Sequence, residues 1–116
     1  MMFSLNICKE LINDCNQVNN AGIGLAQGKL TTELTPDDLQ ESFSANVFTT
    51  IYMSQAAVPY MPRGGRIVNI GTVVTKSILA GVTAYGASKA AQDFVSSALA
   101  IEVCRTAMQN NLICLI

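Results

Sequence analysis

Histidine is absent from this sequence. Without it there is no Ser-His-Asp or Cys-His nucleophile and no histidine-containing zinc motif. Charge is scarce too: 13% of the 116 residues are charged, below the usual quarter, and the net charge is −1. So even a balance gives no electrostatic reason to expect nucleic acid or an anionic membrane as a partner. Half the residues are hydrophobic, which suits the interior of a larger fold better than a free-standing domain. Cys8, Cys15, Cys104 and Cys114 form no Cys-x-x-Cys pair. That argues against a metal site and fits free thiols in a reducing cytosol, so a cytoplasmic location is expected. No apolar run approaches the ~20 residues of a membrane span. Met1 to Cys8 lacks the basic start and cleavage site of a signal peptide.

What is present centres on residues 64 to 89. Gly64-Gly65 turns the chain into Arg66-Ile67-Val68-Asn69-Ile70, a β-branched run that predicts a strand. After Gly71, Thr72 and a loop, the segment from about Thr83 to Arg105 is dense in Ala and Ser and predicts a helix. Positions i and i+4 share a helix face, so Tyr85 and Lys89 present a phenol and an ammonium side by side. A phenol alone has a pKa of about 10, and a fixed cation beside it favours the phenolate. The pair is a candidate general acid or base, with Thr72 placed to polarise a carbonyl. Alone, the pair reads rather as a surface Tyr beside a solvated Lys.

Upstream, Thr35-Pro36-Asp37-Asp38 is a helix start: Thr35 caps, Pro36 suits the first position, and the two acids complement the dipole. Leu39, Phe43, Val47, Ile51, Ser54 and Val58 follow at helical spacing, with Asn46 on their flank, until Pro59 and Pro62 end the helix. A buried amide at Asn46 needs partners. It can satisfy backbone groups in a kinked helix or serve chemistry. Before this helix, Asn19-Asn20-Ala21-Gly22 follows Val18, the one clear strand former in a polar approach. By itself it reads as a turn. No G-x-G-x-x-G pattern follows a strand here.

Taken together, Asn19-Asn20-Ala21-Gly22, Asn46, Gly-Gly-Arg-Ile-Val-Asn-Ile-Gly with the hydroxyl at Thr72, and Tyr-Gly-Ala-Ser-Lys resemble the short-chain dehydrogenase/reductase family over about residues 18 to 105. The family usually has Ser where this chain has Thr72. The resemblance implies an α/β fold, a βαβαβ piece of a Rossmann-like parallel sheet in one partial domain over residues 1–116, without the Gly-rich unit and the substrate lid. It implies an NAD(P)-dependent oxidoreductase that interconverts a carbonyl and an alcohol. Tyr85 would exchange the proton, Lys89 lower its pKa and hold the nicotinamide ribose, Thr72 polarise the carbonyl and Asn46 relay protons. Asn19, Asn20, Ala21, Gly22, Ile70 and Gly71 would join Tyr85 and Lys89 around NAD or NADP. Small residues on the last helix, with Ala87, Ala91, Phe94, Ala98 and Ile101 on one face, imply a homo-oligomer through helices 36–60 and 83–105. Leu112 to Ile116 is expected to be the next strand. The alternatives are a catalytically silent relative that acts as an interaction partner, and a gene-model fragment.

Overall fold

The computed structural model describes residues 16–24, 26–62, 64–105 and 112–115. The thiols of Cys8 and Cys15, the side chains of Cys104 and Cys114, and the lead-in before Asn16 lie outside them. Three short strands form one parallel sheet in the order β1-β2-β3: β1 (Asn16–Asn19), β2 (Arg66–Asn69) and β3 (Leu112–Leu115). The register pairs Val18 with Val68 and Val68 with Cys114. Parallel neighbours need long crossovers, and helices supply both. The chain is therefore the expected βαβαβ piece. The polar approach that predicts a poor first strand yields one of four residues, held by its parallel pairing with β2.

The first crossover is not one continuous helix. Helix α1 (Pro36–Phe43) passes into a π-helical turn at Ser44–Phe48, then α2 (Thr49–Ala57), and ends in a 3-10 turn at Val58–Tyr60. The start is as the sequence predicts. Thr35 Oγ1 accepts from the Asp38 N–H at 3.2 Å, and the Asp38 carboxylate accepts from the Thr35 N–H at 2.9 Å. Lys29 reaches the same carboxylate at 2.8 Å. Hydrogen bonds from Lys29 and then from Thr35 hold the Asp38 pKa down, to about 2.

The buried stripe of this crossover keeps Val47 and Ser54 of the predicted one and otherwise differs from it. Ser42, Asn46, Val47, Thr50 and Ser54 are buried, while Leu39 is exposed and Phe43, Ile51 and Val58 are half-buried. A π turn inserts an extra residue and rotates the faces on either side of it. Helix α3 (Thr83–Arg105) behaves alike: Ala84, Ser88, Lys89, Gln92, Ser96 and Val103 face inward, whereas Phe94 and Ile101 are 76% and 62% exposed. The described core thus holds few large apolar side chains, chiefly Val47, Met61, Ile67 and Val103. Two of its hydroxyls bond back to the helix, Thr50 Oγ1 to the Asn46 carbonyl at 3.0 Å and Ser96 Oγ to the Gln92 carbonyl at 2.8 Å, whereas those of Ser42 and Ser54 are buried without a described partner.

Candidate active site

The site forms where the carboxyl ends of β1 and β2 meet α3 and the π turn. From β1, Asn19 is buried and donates from Nδ2 to Asn69 Oδ1 at 2.6 Å, accepting in turn from Gln17 Nε2 at 2.7 Å. Asn69 then donates to Ser96 Oγ at 2.7 Å, fastening both strands to α3. The loop Asn20–Gly24 beyond is exposed.

Asn46 spends its side chain on that loop. Its Oδ1 accepts from the Ile23 N–H at 2.9 Å, and its Nδ2 donates to the Ile23 carbonyl at 3.1 Å and to Ser88 Oγ at 2.9 Å. The amide therefore does satisfy backbone groups, but those of a loop 23 residues earlier in the chain. Ser88 passes the connection on to the Tyr85 carbonyl at 2.8 Å.

Lys89 is 4% exposed. Its ammonium donates to the Ile70 carbonyl at 2.7 Å and to Gln92 Oε1 at 2.9 Å. Burial lowers its pKa from the ordinary lysine value, and Asp93 one turn on opposes the shift. Gly22 sits against it. A Cβ built there would lie 3.3 Å from both Lys89 Nζ and Asn46 Oδ1, closer than most side-chain contacts. A side chain at this position would require the cation or the amide to give way by a few tenths of an ångström.

Thr72 follows β2 in extended conformation and caps the 3-10 turn Val73–Thr75, accepting from the Val74 N–H at 3.3 Å. Val74 packs on the first turn of α3, where a Cβ on Gly86 would lie 3.4 Å from Val74 Cγ1. The Thr75 hydroxyl is committed to the Thr72 carbonyl at 2.9 Å. Among the described residues no hydrogen bond joins the half-buried Tyr85 hydroxyl to Lys89 or Thr72. The structure therefore brings Gly22, Asn46, Ile70 and Lys89 together directly, and places Thr72 and Tyr85 on the two segments that flank them.

Gln92 and Thr50 went unpredicted. Gln92 is fully buried, and its Nε2 donates to Thr50 Oγ1 at 2.7 Å. The available signal was spacing: Ser88, Gln92 and Ser96 recur every four residues beside Lys89, a polar ridge on one helix face.

A parallel sheet joined by helical crossovers is an α/β arrangement of the doubly wound kind. A family model for the short-chain dehydrogenases matches residues 16–115, and the chain belongs to that family. A cyclic-di-GMP-binding biofilm dispersal mediator protein of Escherichia coli (strain K12) is 40% identical over 84 residues, covering 72% of this chain and 35% of that protein. The short chain dehydrogenase asqE of Emericella nidulans is 39% identical over 88 residues, covering 73% of this chain and 32% of its own length. Among solved structures, a short-chain dehydrogenase of Burkholderia cenocepacia J2315 in complex with NADP superposes with a TM-score of 0.74 at 34% identity, over 84% of this chain and 40% of that one. A short-chain dehydrogenase of Streptomyces avermitilis gives 0.79 at 30% identity, over 97% and 40%. The chain thus spans about a third of the length of these curated relatives. No helix among the described residues is long and apolar enough to cross a membrane.

Proposed function

We propose that this chain carries the proton-exchanging centre of an NAD(P)-dependent oxidoreductase that interconverts a carbonyl and an alcohol on a small molecule. One observation carries the reading: a buried ammonium and a fixed amide, from different helical segments, converge on a glycine where an added Cβ would be tightly packed against both. These residues suit the nicotinamide-ribose half of NAD or NADP. Two of the three Lys89 N–H donors are committed to described groups, which leaves one for a ribose hydroxyl. Asn19, Asn20, Ala21, Gly22, Ile70 and Gly71 are assigned, with Tyr85 and Lys89, to line that half. When bound, the nicotinamide supplies or accepts the hydride.

The remaining work falls to the chain. Tyr85 gives its phenolic proton to the carbonyl oxygen, or takes one from the alcohol. Lys89, as a cation, favours the phenolate that remains. The Thr72 hydroxyl accepts from Val74, so its own proton is free to donate to the substrate oxygen. Asn46 is assigned the proton relay. The test is Tyr85→Phe, assayed with NADH and NADPH against a panel of ketones and alcohols. Turnover should fall at least about 10²-fold with circular dichroism unchanged. Near-normal kcat in that variant would remove the assignment.

A specific surface supports the homo-oligomer within this reading. A groove of about 420 Å³ lies between α2 and α3, bordered by Ile51, Val58, Phe94 and Leu99, and none of the proposed catalytic residues lines it. Ser54, also on the groove, has a buried hydroxyl with no described partner. The same face favours the second reading, a catalytically silent relative that persists as an interaction partner. A cytoplasmic location belongs to either reading.

A further inference from the structure

We propose that Gln92 is a positioning residue for Lys89: its side-chain amide, locked in one orientation by Thr50, holds the Lys89 ammonium at the Ile70 carbonyl. The proposal rests on the oxidoreductase reading, in which that ammonium serves Tyr85 and the cofactor ribose.

The orientation follows from donor bookkeeping along a chain of three bonds. Thr50 has a single hydroxyl proton, and it is directed to the Asn46 carbonyl at 3.0 Å. Toward Gln92, therefore, Thr50 Oγ1 can only accept. The amide must turn its NH₂ end to Thr50, at 2.7 Å, and its oxygen to Lys89, at 2.9 Å. The reversed amide would set two donors against the ammonium and leave an oxygen facing an acceptor. Gln92 is 0% exposed, so water does not compete for these bonds. The backbone adds a second tie, since the Gln92 carbonyl accepts from Ser96, which accepts from Asn69 on β2. The lysine is thereby referenced to the strand and, through Thr50, to the helical turn that carries Asn46. A flexible side chain with four rotatable bonds needs such ties to present one N–H in a fixed direction.

Among the described residues, Asp93 is the charged group acting on Lys89, and the Tyr85 phenol lies one turn before it on the same helix face. β2 presents the Ile70 carbonyl, the loop Gly22, and the first crossover the neutral Asn46. A change at residue 92 should therefore be read in the Lys89 titration with Tyr85→Phe as the background that removes the phenol. The experiment follows the side-chain resonances of the 116-residue chain labelled with ¹³C-lysine, Lys89 being assigned by Lys89→Arg. Gln92→Met keeps the bulk, removes the acceptor, and leaves the Thr50 proton bonded as before. The Lys89 midpoint should drop by about one pH unit, the effect of one hydrogen bond to a charged group. Gln92→Glu should raise it, and Thr50→Val, which frees the amide to turn, should move it the way Gln92→Met does. Filling space alone does not produce opposite shifts from Met and Glu. Should Gln92→Met fail to fold, the other two variants decide the matter by the same shifts. Midpoints unchanged from wild type in the folded variants would overturn the proposal. The readout needs no turnover, so shifted midpoints in a chain without activity would uphold the coupling and count against the oxidoreductase reading alone.

Discussion

Thr72 and Lys89 show what single residues decide here. Thr72 keeps the hydroxyl that the family's usual Ser provides, with a methyl that restricts χ1 and crowds the substrate side. Thr72→Ser should retain or raise kcat. Thr72→Val preserves the shape and should lose about 10²-fold, as for other single polarising donors; equal rates in the two variants would mean the hydroxyl is not used. For Lys89 the prediction concerns stability. Its folded pKa lies below the ordinary 10.5 because burial disfavours the cation. Between those two values the unfolded chain still binds a proton that the folded chain has released, so stability rises with pH through that window. Below the folded value the penalty is present in full. Urea midpoints across alkaline pH should show this rise in wild type and lose it in Lys89→Met. That Tyr85 and Lys89 share a helix was legible from the helical pattern around their four-residue spacing. The hydrogen bonds that occupy Lys89 instead, to Ile70 and Gln92, were not, because a strand-end carbonyl leaves no mark in side-chain identity.

At the scale of elements, the first crossover teaches most. Its start was legible because capping is local: Thr35, Pro36 and Asp38 settle it within four residues. Thr35→Ala should cost about 1 kcal/mol in equilibrium unfolding, and it also removes a donor to the Asp38 carboxylate. Asp38 itself contributes stability above the ordinary carboxylate value of 3.8, and this is lost as pH falls through about 2. An unchanged urea midpoint in Thr35→Ala would show that the cap is dispensable. The middle of the crossover was not legible. The stripe of Leu39, Phe43, Val47, Ile51, Ser54 and Val58 marks one face, but hydropathy cannot say whether sheet, solvent or a second copy covers it. Of these, Val47 and Ser54 are buried, and Ser42, Asn46 and Thr50 share the buried side with them. The π turn at Ser44–Phe48 depends on tertiary bonds, those of Asn46 to Ile23 and Ser88 among them, and no local residue pattern announces it.

For the molecule as a whole, four ordered motifs carried the family resemblance, and the resemblance carried the parallel βαβαβ fold; the strand order β1-β2-β3 is supplied by the structure. In the proposed reading the 116 residues supply the nicotinamide-ribose half of a dinucleotide site. No glycine-rich turn among them feeds a helix N-terminus where a pyrophosphate could bind. On its own, this chain should therefore show no saturable binding of NADH or NADPH in the micromolar range in calorimetry. With Phe94 at 76% and Ile101 at 62% exposure, it should self-associate in light scattering. The central claim is that the proposed proton-exchanging centre is chemically competent. Its most direct test supplies millimolar cofactor deuterated at nicotinamide C4, with a panel of ketones, and follows deuterium into the alcohol by mass spectrometry. The account predicts slow transfer by the wild-type chain and at least about 10²-fold less by Tyr85→Phe. Equal transfer by both, or none above the cofactor-only control, would contradict it.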